Sequence, residues 1–403
     1  MNPVDQFGAQ HHPEGQNHPT NEQIDEPIVH SLINVAAPLR GAMKILIIQD
    51  YLRSGGTERQ AVFLGAAAAR AGHEVTLLTF RPRGALGDDA ENQPFAFKSL
   101  QPFDCHLDWF APRLLRTAAE AAPDLVLCMG RMANCYAGFI QKRLPRAAVI
   151  CTMRTGKHLP WLFVRSLGLC RHIIANSHVA KRVLTDQHNL PSPKITVIHN
   201  PALRSHDPEG SRNTALRKFY GANPNTVVML NVAMFRRLKN QRELIELCAK
   251  LPGYLDWQLW LAGEGTTKKK CERLAHDLGL GGRVRFLGYQ PDPTPLYLSS
   301  DLALLTSQSE SLSNFLIEAQ LHGLPAIAYD IVGVGECFAP GLSGYLIENG
   351  DQPAFIAALD KLIRNPSQRK HFSEAARHHA RENFTAERQI QAHLSVFTQI
   401  AAR

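Results

Sequence analysis

Short apolar segments alternate with longer amphipathic segments along the chain from Met43 onward. The first half contains KILIIQD, EVTLLTF, DLVLCMG, AAVICTM, HIIANS and ITVIHNP, and the second half contains TVVMLNVAMF, WQLWLAGEG, VRFLGY, LALLTS, PAIAYD and GYLIEN. Runs of this length are typical of strands buried on both faces of a parallel sheet, and the segments between them fit crossover helices. The pattern therefore predicts α/β architecture with two doubly wound domains facing each other across a cleft.

Changes in composition suggest where these domains begin and end. Residues 1–42 are polar and rich in Gln, Asn, His and Pro, so we expect a disordered tail. The two α/β domains should cover residues 43–203 and 227–385, joined by a Pro-, Gly- and Asn-rich linker at 204–226. Residues 386–403 have a helical pattern with no following strand, and the first domain is a surface on which such a helix could pack.

The cysteines indicate the redox compartment of the protein, and the net charge indicates which classes of partner it could bind. The eight cysteines form no C-x-x-C pair and several lie in strand-like runs, which favours reduced thiols in a cytoplasmic protein and no metal site. The net charge is +8, and because residues 1–42 hold one Arg and five acids, the rest of the chain is more positive still. A positive body suits anionic partners, but no nucleic-acid-binding module is recognisable.

A glycine turn follows the first strand of the first domain, in SGGTERQ. Gly55 and Gly56 permit a tight turn, and Thr57 with Gln60 matches a capping box that would open a helix. Such a turn can hold an anion with backbone N–H groups at the helix N-terminus. The alternative is a tight strand-to-helix turn with no ligand.

Cations follow the first strand of the second domain. Arg236, Arg237 and Lys239 lie where that strand should give way to its helix, a position that suits a diphosphate. A basic, solvated loop is the alternative. Gly263 belongs to a second glycine-containing loop, AGEG, after the next strand.

Two acids flank a helix start in SESLSNFLIEAQLHGLPAIAYD. Glu310 lies in the loop after a strand, Ser313 or Ser311 can cap a helix that starts near Asn314, and Glu318 lies about one turn further on. A carboxylate at Glu318 could accept hydrogen bonds from ribose hydroxyls while the amides of the helix N-terminus hold phosphate. The alternative is a surface acid at Glu318 and a loop acid at Glu310.

Taken in order, these segments resemble the retaining glycosyltransferases of family 4 (glycosyl transferases group 1). The resemblance covers roughly residues 43–384: Glu310 and Glu318 match the family's E-x7-E element, and GGTERQ matches its glycine turn. The segments IIANSHVAKRVL, VIHNP, LAGEG, VRFLGY and HGLPAIAYD occur in the family's order. The resemblance implies the GT-B fold, in which two Rossmann-like domains face each other across the cleft.

The resemblance also implies roles for individual residues. Glu318 would hold the donor ribose, Glu310 would contact the transferred sugar, and Lys239 would pair with the donor diphosphate. The remaining donor-binding positions that it suggests are Gly55, Gly56, Arg236, Arg237, Gly263, Ser313 and Asn314.

This chain departs from the family pattern at three places. The family often has Arg at the place of Met234, which leaves Arg236 or Arg237 as the alternative cation, and it commonly has Gly at the place of Ser311. A histidine often follows the fourth strand of the first domain. Here Arg154 is near that place and His158 lies further on, so we place both on the acceptor side and assign no catalytic histidine.

The expected activity is retaining transfer of a sugar from a nucleotide sugar, by family precedent a UDP-sugar, without a metal ion or other cofactor. The expected acceptor is a glycan or a lipid-linked molecule, in cell-surface polysaccharide or lipopolysaccharide biosynthesis. Two alternatives are a sugar-nucleotide epimerase of the same architecture and a non-catalytic nucleotide-sugar-binding protein.

An acid-free segment, residues 141–172, suggests an anionic membrane surface as a partner, with the protein peripheral at the inner face. It surrounds the apolar residues Trp161, Leu162 and Phe163 with cations at positions 142, 143, 146, 154, 157, 165 and 171. The alternative is that LPWLFVRSL packs inside the domain and the cations only solvate its surface.

Overall fold

The computed structural model describes residues 41–53, 55–156, 158–202 and 212–402. All but the last two residues of the expected N-terminal tail lie outside these ranges, as do residues 204–211 of the expected linker.

A seven-stranded sheet organises the first half of the chain. Its strands, all parallel, pair in the order β3-β2-β1-β4-β5-β6-β7. The strands are β1 (Lys44–Gln49), β2 (Glu74–Thr79), β3 (Ala96–Ser99), β4 (Leu125–Cys128), β5 (Ala148–Met153), β6 (His172–Ala175) and β7 (Ile195–Val197). The helices are α1 (Gly56–Arg70), α2 (Gly87–Glu91), α3 (Leu114–Glu120), α4 (Arg131–Arg143), α5 (Trp161–Leu169) and α6 (His178–Arg182).

A six-stranded parallel sheet, in the order β10-β9-β8-β11-β12-β13, organises the second half. Its strands are β8 (Val227–Val232), β9 (Trp257–Ala262), β10 (Val284–Gly288), β11 (Leu302–Leu305), β12 (Ala326–Asp330) and β13 (Gly344–Glu348). The helices are α7 (Thr214–Phe219), α8 (Gln241–Ala249), α9 (Lys268–Asp277), α10 (Thr294–Ser299), α11 (Asn314–Leu321), α12 (Gln352–Arg364), α13 (Pro366–Asn383) and α14 (Ala386–Ala401). The prediction of two doubly wound α/β domains is confirmed.

The strands are apolar throughout because helices cover both faces of each sheet. In β1, Ile45 and Ile47 pack into one buried cluster, whereas Leu46 and Ile48 pack into another on the opposite face. Alternation of side chains along a strand gives each face every second residue, so a strand covered on both sides must be apolar at every position. This explains the uninterrupted runs in the sequence.

The described part of the segment that we expected to be linker belongs structurally to the second domain. Residues 212–226 include α7, and the guanidinium of Arg217 is buried there, where it donates hydrogen bonds to the carbonyl of Ser299 at 2.8 Å and to the carboxylate of Asp301 at 3.0 Å. Asn213 caps this helix by accepting the N–H of Leu216, and Gly221, with φ +79°, follows its end. These two residues therefore did not signal a free linker.

The helix α14 packs on the first domain, although it follows the whole second domain in the chain. Its buried residues Ile390, Leu394 and Phe397 belong to the same apolar cluster as Ile45 and Ile47. The chain passes between the domains at two adjacent places, because the N–H of Ala202 donates to the carbonyl of Phe384 at 2.9 Å. The helix thus completes a core that the first 202 residues leave uncovered.

Phe397→Ala tests this role of α14. Phe397 is 1% exposed, and truncating a buried Phe removes apolar burial and leaves a cavity, so we expect the free energy of unfolding of the first domain to fall by about 3–5 kcal/mol. Urea unfolding followed by circular dichroism measures this loss. The matched control is Gln399→Ala at an exposed position of the same helix, and equal stability of the two variants would contradict the packing role.

Candidate active site

The two sheets place polar loops where their strand order reverses, which is where ligands of open α/β sheets bind. In the second domain this point lies between β8 and β11. Lys239 follows β8 and Glu310 follows β11, and Lys239 Nζ lies 2.6 Å from Glu310 Oε1. The Glu310 side chain is only 9% exposed. The fold therefore joins the two predicted catalytic residues into an ion pair, although 71 positions separate them in the sequence.

The second acid, Glu318, lies one turn into α11 and is largely enclosed. Of the two serines that could cap this helix, Ser313 does so: its hydroxyl accepts the N–H of Leu316 at 3.4 Å. The hydroxyl of Tyr297 donates to Glu318 Oε2 at 2.7 Å. Burial raises the pKa of Glu318 to about 7, and the hydrogen bond from Tyr297 offsets part of that rise. Glu318 is therefore an acid that changes charge near neutral pH.

The sequence contained no signal for Tyr297, because only the packing of α10 beside α11 brings its ring to Glu318. The ring lies between two others, with centroids 4.9 Å from His322 and 6.3 Å from Phe315. This stacking fixes the direction in which the phenol hydroxyl points and so holds the carboxylate of Glu318 in one orientation.

A cation of the first domain also faces Glu318. Arg59, on α1, lowers the pKa of Glu318 by its charge and donates a hydrogen bond at 3.2 Å to the hydroxyl of Tyr289, which follows β10. Arg59 lies inside the GGTERQ segment. Its position three residues after the glycine turn could have marked it as a site residue.

The glycine turn after β1 is held against the second domain. The helix α1 starts at Gly56 with Gly55 as its N-cap. A Cβ atom at Gly56 would lie 2.3 Å from Asn314 Nδ2, and a Cβ atom at Gly55 would lie 2.4 Å from Glu58 Oε2. Gly56 therefore allows the N-termini of α1 and α11 to approach each other across the cleft.

The predicted capping box at Thr57 and Gln60 is wrong, since the helix starts before Thr57. Gln60 instead accepts a hydrogen bond from Arg154, which also donates to Asn200 Oδ1 at 2.8 Å. Asn200 Nδ2 in turn donates to Asn314 Oδ1 at 2.7 Å. These contacts form a continuous polar chain from α1 of the first domain to the N-terminus of α11 in the second.

The structure separates the two residues that we expected on the acceptor side. Burial lowers the pKa of Arg154 to about 10, which leaves it charged at neutral pH beneath the start of α1. His158 is exposed, and its backbone carbonyl accepts a hydrogen bond from Arg131 at 3.0 Å. Arg154 therefore positions Asn200, which donates to Asn314 of the second domain, whereas His158 lies at the surface.

The remaining predicted donor-binding residues occupy two loops. Arg236 and Arg237 are exposed in the loop that follows β8. The charge of Arg236 reaches Glu58 of the first domain: burial raises the pKa of Glu58, and Arg236 acts to lower it. Gly263 has φ +140°, and a Cβ atom there would lie 2.1 Å from the carbonyl oxygen of Ala233. Glycine is required at this position by close backbone packing between the loops that follow β8 and β9.

The wall of the cleft in the first domain carries charges that the sequence did not reveal. Arg81, after β2, pairs with Asp104 at 2.7 Å and with Asp108 at 2.8 Å, and its guanidinium lies 3.8 Å from the ring centroid of Tyr51. Arg53, after β1, pairs with Asp108 at 2.6 Å. Loops after three neighbouring strands thus form one connected polar surface.

Comparisons with known proteins identify the families and relatives that this chain resembles. The family model "Glycosyltransferase Family 4" matches residues 54–202, and the model "Glycosyl transferases group 1" matches residues 212–379. The N-acetyl-alpha-D-glucosaminyl L-malate synthase of Bacillus anthracis is 29% identical over 89% of this chain and 98% of its own length. The lipopolysaccharide core biosynthesis glycosyltransferase LpsE of Rhizobium meliloti is 30% identical over 42% of this chain and 49% of its own length.

Among solved structures, Anabaena HepE in complex with UDP superposes with a TM-score of 0.76 and 21% identity, over 89% of this chain and 100% of its own. That similarity extends to both parallel sheets and shows the GT-B fold. The two family models together cover both domains in order. The chain belongs to glycosyltransferase family 4, the glycosyl transferases group 1.

Proposed function

We propose that the protein transfers a sugar from a nucleotide sugar to an acceptor hydroxyl with retention of configuration at the anomeric carbon. The observation that carries this proposal is the ion pair of Lys239 and Glu310 at the carboxyl edge of the second sheet, with Glu318 one turn into the adjacent helix. Lys239 and the N-terminus of α11 can bind the diphosphate, Glu310 can contact the sugar, and Glu318 can accept hydrogen bonds from the ribose hydroxyls.

The charges fit the electron flow of such a transfer. Breaking the bond between the anomeric carbon and the diphosphate oxygen leaves positive charge on the sugar and negative charge on the phosphate. Lys239 and the amides at the start of α11 would stabilise the departing diphosphate, while Glu310 would face the sugar. The departing oxygen would take the acceptor proton on the same face, so the step requires no protein nucleophile.

The donor in this proposal is a UDP-sugar and no metal ion assists. The solved structure of HepE contains UDP, which supports a uridine carrier. Lys239, Arg236 and Arg237 supply the positive charge that a divalent cation would otherwise contribute. The eight cysteines carry free thiols, which supports a reducing compartment such as the cytoplasm.

For the acceptor we propose a glycan or lipid-linked glycan of the cell surface. LpsE acts in lipopolysaccharide core biosynthesis according to its name. The name of the Bacillus anthracis relative instead points to L-malate, so small hydroxy acids should be tested as acceptors alongside glycans.

The direct test is incubation of the protein with a panel of UDP-sugars, with and without acceptors. We expect slow UDP release from one donor, faster release with the correct acceptor, and an α-linked product from an α-linked donor, which NMR identifies. An epimerase would return an altered nucleotide sugar, and a binding protein would leave the donor unchanged. Either result would contradict the proposal.

Chelation tests the metal-free mechanism separately. With EDTA present, we expect the turnover of the preferred donor to remain within about twofold of its value without chelator, because Lys239 and the start of α11 neutralise the leaving group. Loss of activity that Mn²⁺ or Mg²⁺ restores would show that a metal performs this task.

Glu318→Gln tests the ribose contact through its pH dependence. The pKa of Glu318 is raised to about 7, and the carboxylate, not the protonated acid, accepts two hydroxyl hydrogen bonds. Affinity for UDP-glucose should therefore rise as pH increases through 7, by about tenfold between pH 6 and pH 8. The Gln variant should bind about 10- to 150-fold more weakly at pH 8 and show no such dependence.

Calorimetric titration at several pH values measures both effects. Glu348→Gln removes an exposed acid at the end of β13 and is the matched control. A pH-independent affinity in the unsubstituted protein would contradict an ionising Glu318 in the donor site.

Lys239→Met tests the role of the cation in the bond-breaking step. Because its charge matters most when the diphosphate leaves, kcat should fall by about 10²–10³-fold while the donor KM changes only a few-fold. Lys239→Arg, which keeps the charge, should retain more activity. Lys250→Met at the far end of α8 is the control, and a change confined to KM would count against the mechanism.

An anionic membrane surface is a further partner in this proposal. No helix in the described ranges is long and apolar enough to span a bilayer, so any attachment by them would be peripheral. Trp161 is 70% exposed at the start of α5, and Phe139 is exposed on the adjacent α4. Lys142 and Arg165 lie beside them around one shallow cavity. Phe163, by contrast, is buried in the domain core.

One of the cations that we expected at this surface is not available to it, because the guanidinium of Arg154 is buried and donates hydrogen bonds to Gln60 and Asn200. Lys157 lies outside the described residues. The surface that remains combines exposed aromatic rings with Lys142 and Arg165, which is the composition of interfacial anchors.

Arg165→Glu should weaken binding to vesicles that contain anionic lipid, because each basic residue near such a surface contributes about 1 kcal/mol and its reversal costs more. Flotation with neutral or anionic vesicles, at low and high salt, measures the change. Arg273→Glu on α9 alters the net charge equally and is exposed in the second domain. Vesicle binding that is the same with neutral and anionic lipid, and at low and high salt, would contradict electrostatic docking.

A further inference from the structure

Two histidines and one glutamate converge where the two domains meet. His178 begins α6, His199 follows β7, and Glu336 lies in the loop after β12. One ligand atom from each of the three side chains lies within 4.8 Å of the others. The first domain supplies both imidazoles and the second domain supplies the carboxylate.

The carboxylate of Glu336 is held in place by the first domain. Its oxygens accept the backbone N–H groups of His178 at 2.7 Å and Val179 at 2.9 Å, and His199 Nε2 lies 3.1 Å from Oε2. Burial acts to raise the pKa of Glu336, but these three contacts outweigh it and lower the pKa to about 2. Glu336 is therefore ionised at any physiological pH and fixed in direction.

The two imidazoles have different surroundings. The His199 ring packs edge-on against Phe384, with centroids 5.6 Å apart, and lies 5.7 Å from the ring of His178. His178 is exposed and borders an open surface cavity of about 670 Å³. Packing thus fixes the ring of His199, whereas the ring of His178 is accessible from solvent.

This donor set matches the chemistry of a transition-metal ion. Two neutral imidazoles and one carboxylate are a common three-ligand set for Zn²⁺, and water takes the fourth position. Ligand atoms around tetrahedral zinc lie about 3.4 Å apart for bonds of about 2.0–2.2 Å, so small rotations of the histidine side chains would bring the three atoms into coordination distance. The amides that orient Glu336 act as the outer contacts that such ligands need.

We propose that His178, His199 and Glu336 form a Zn²⁺ site that ties the two domains together. Binding would replace the contact between His199 and Glu336 by a bond from each side chain to the metal ion and would add His178 as a third ligand. Because the ligands come from both domains, the ion stabilises the arrangement in which they are in contact. The site is separate from the proposed transfer chemistry and does not rest on it.

Zinc titration into the metal-stripped, full-length protein tests the proposal. We expect one binding event that His178→Ala weakens at least tenfold, and the same loss for His199→Gln. His276→Ala, at an exposed histidine on α9, should bind as the unsubstituted protein does. The histidines of residues 1–40 are present in every variant, so the difference between variants isolates this cluster.

Two further measurements separate a metal site from a simple ion pair. Bound Co²⁺ should give the intense visible absorption of tetrahedral coordination, and His178→Ala should abolish it. Zinc should also raise the melting temperature of the unsubstituted protein but not that of His178→Ala, which changes an exposed side chain and leaves the contact between His199 and Glu336 intact. Equal zinc affinity in all variants, or no stoichiometric binding, would overturn the proposal.

Discussion

Parallel pairing of strands is the constraint on which the other features of this molecule depend. In a parallel sheet every strand ends at the same edge, so each loop that carries a polar side chain opens toward one side. Two such sheets facing each other concentrate these loops in a single cleft. Lys239 and Glu310 follow strands that are distant in sequence but adjacent in space, and their ion pair results from the strand order β8-β11.

The contact between the domains contains several polar interactions. Asn200 donates a hydrogen bond across it to Asn314, and Glu336 of one domain caps a helix of the other. Hydrogen bonds of this kind depend on direction. They therefore define how the two domains face each other.

Much of the fold and part of the site could be predicted from local sequence. The uninterrupted apolar runs identified both sheets because burial on two faces leaves no polar position in a strand. Glu310 and Glu318 stood out because their spacing places them on either side of a helix start. The contact between Arg154 and Asn200 could not be predicted, since it depends on how distant segments of the chain pack together. Tyr297 was missed for a related reason: its hydrogen bond to Glu318 depends on the packing of one helix against another.

The position of α14 has a consequence for the order in which the chain folds during synthesis. The first domain is made first, yet the helix that covers one face of its sheet is made only after the whole second domain. Until then the part of this apolar cluster that Ile390, Leu394 and Phe397 cover has no partner. A nascent chain exposes this surface for the time needed to add about two hundred residues, at rates of about 5–20 residues per second. Chaperones that bind apolar surfaces would bind the nascent chain during this interval. The second domain would reach its final structure before the first domain does.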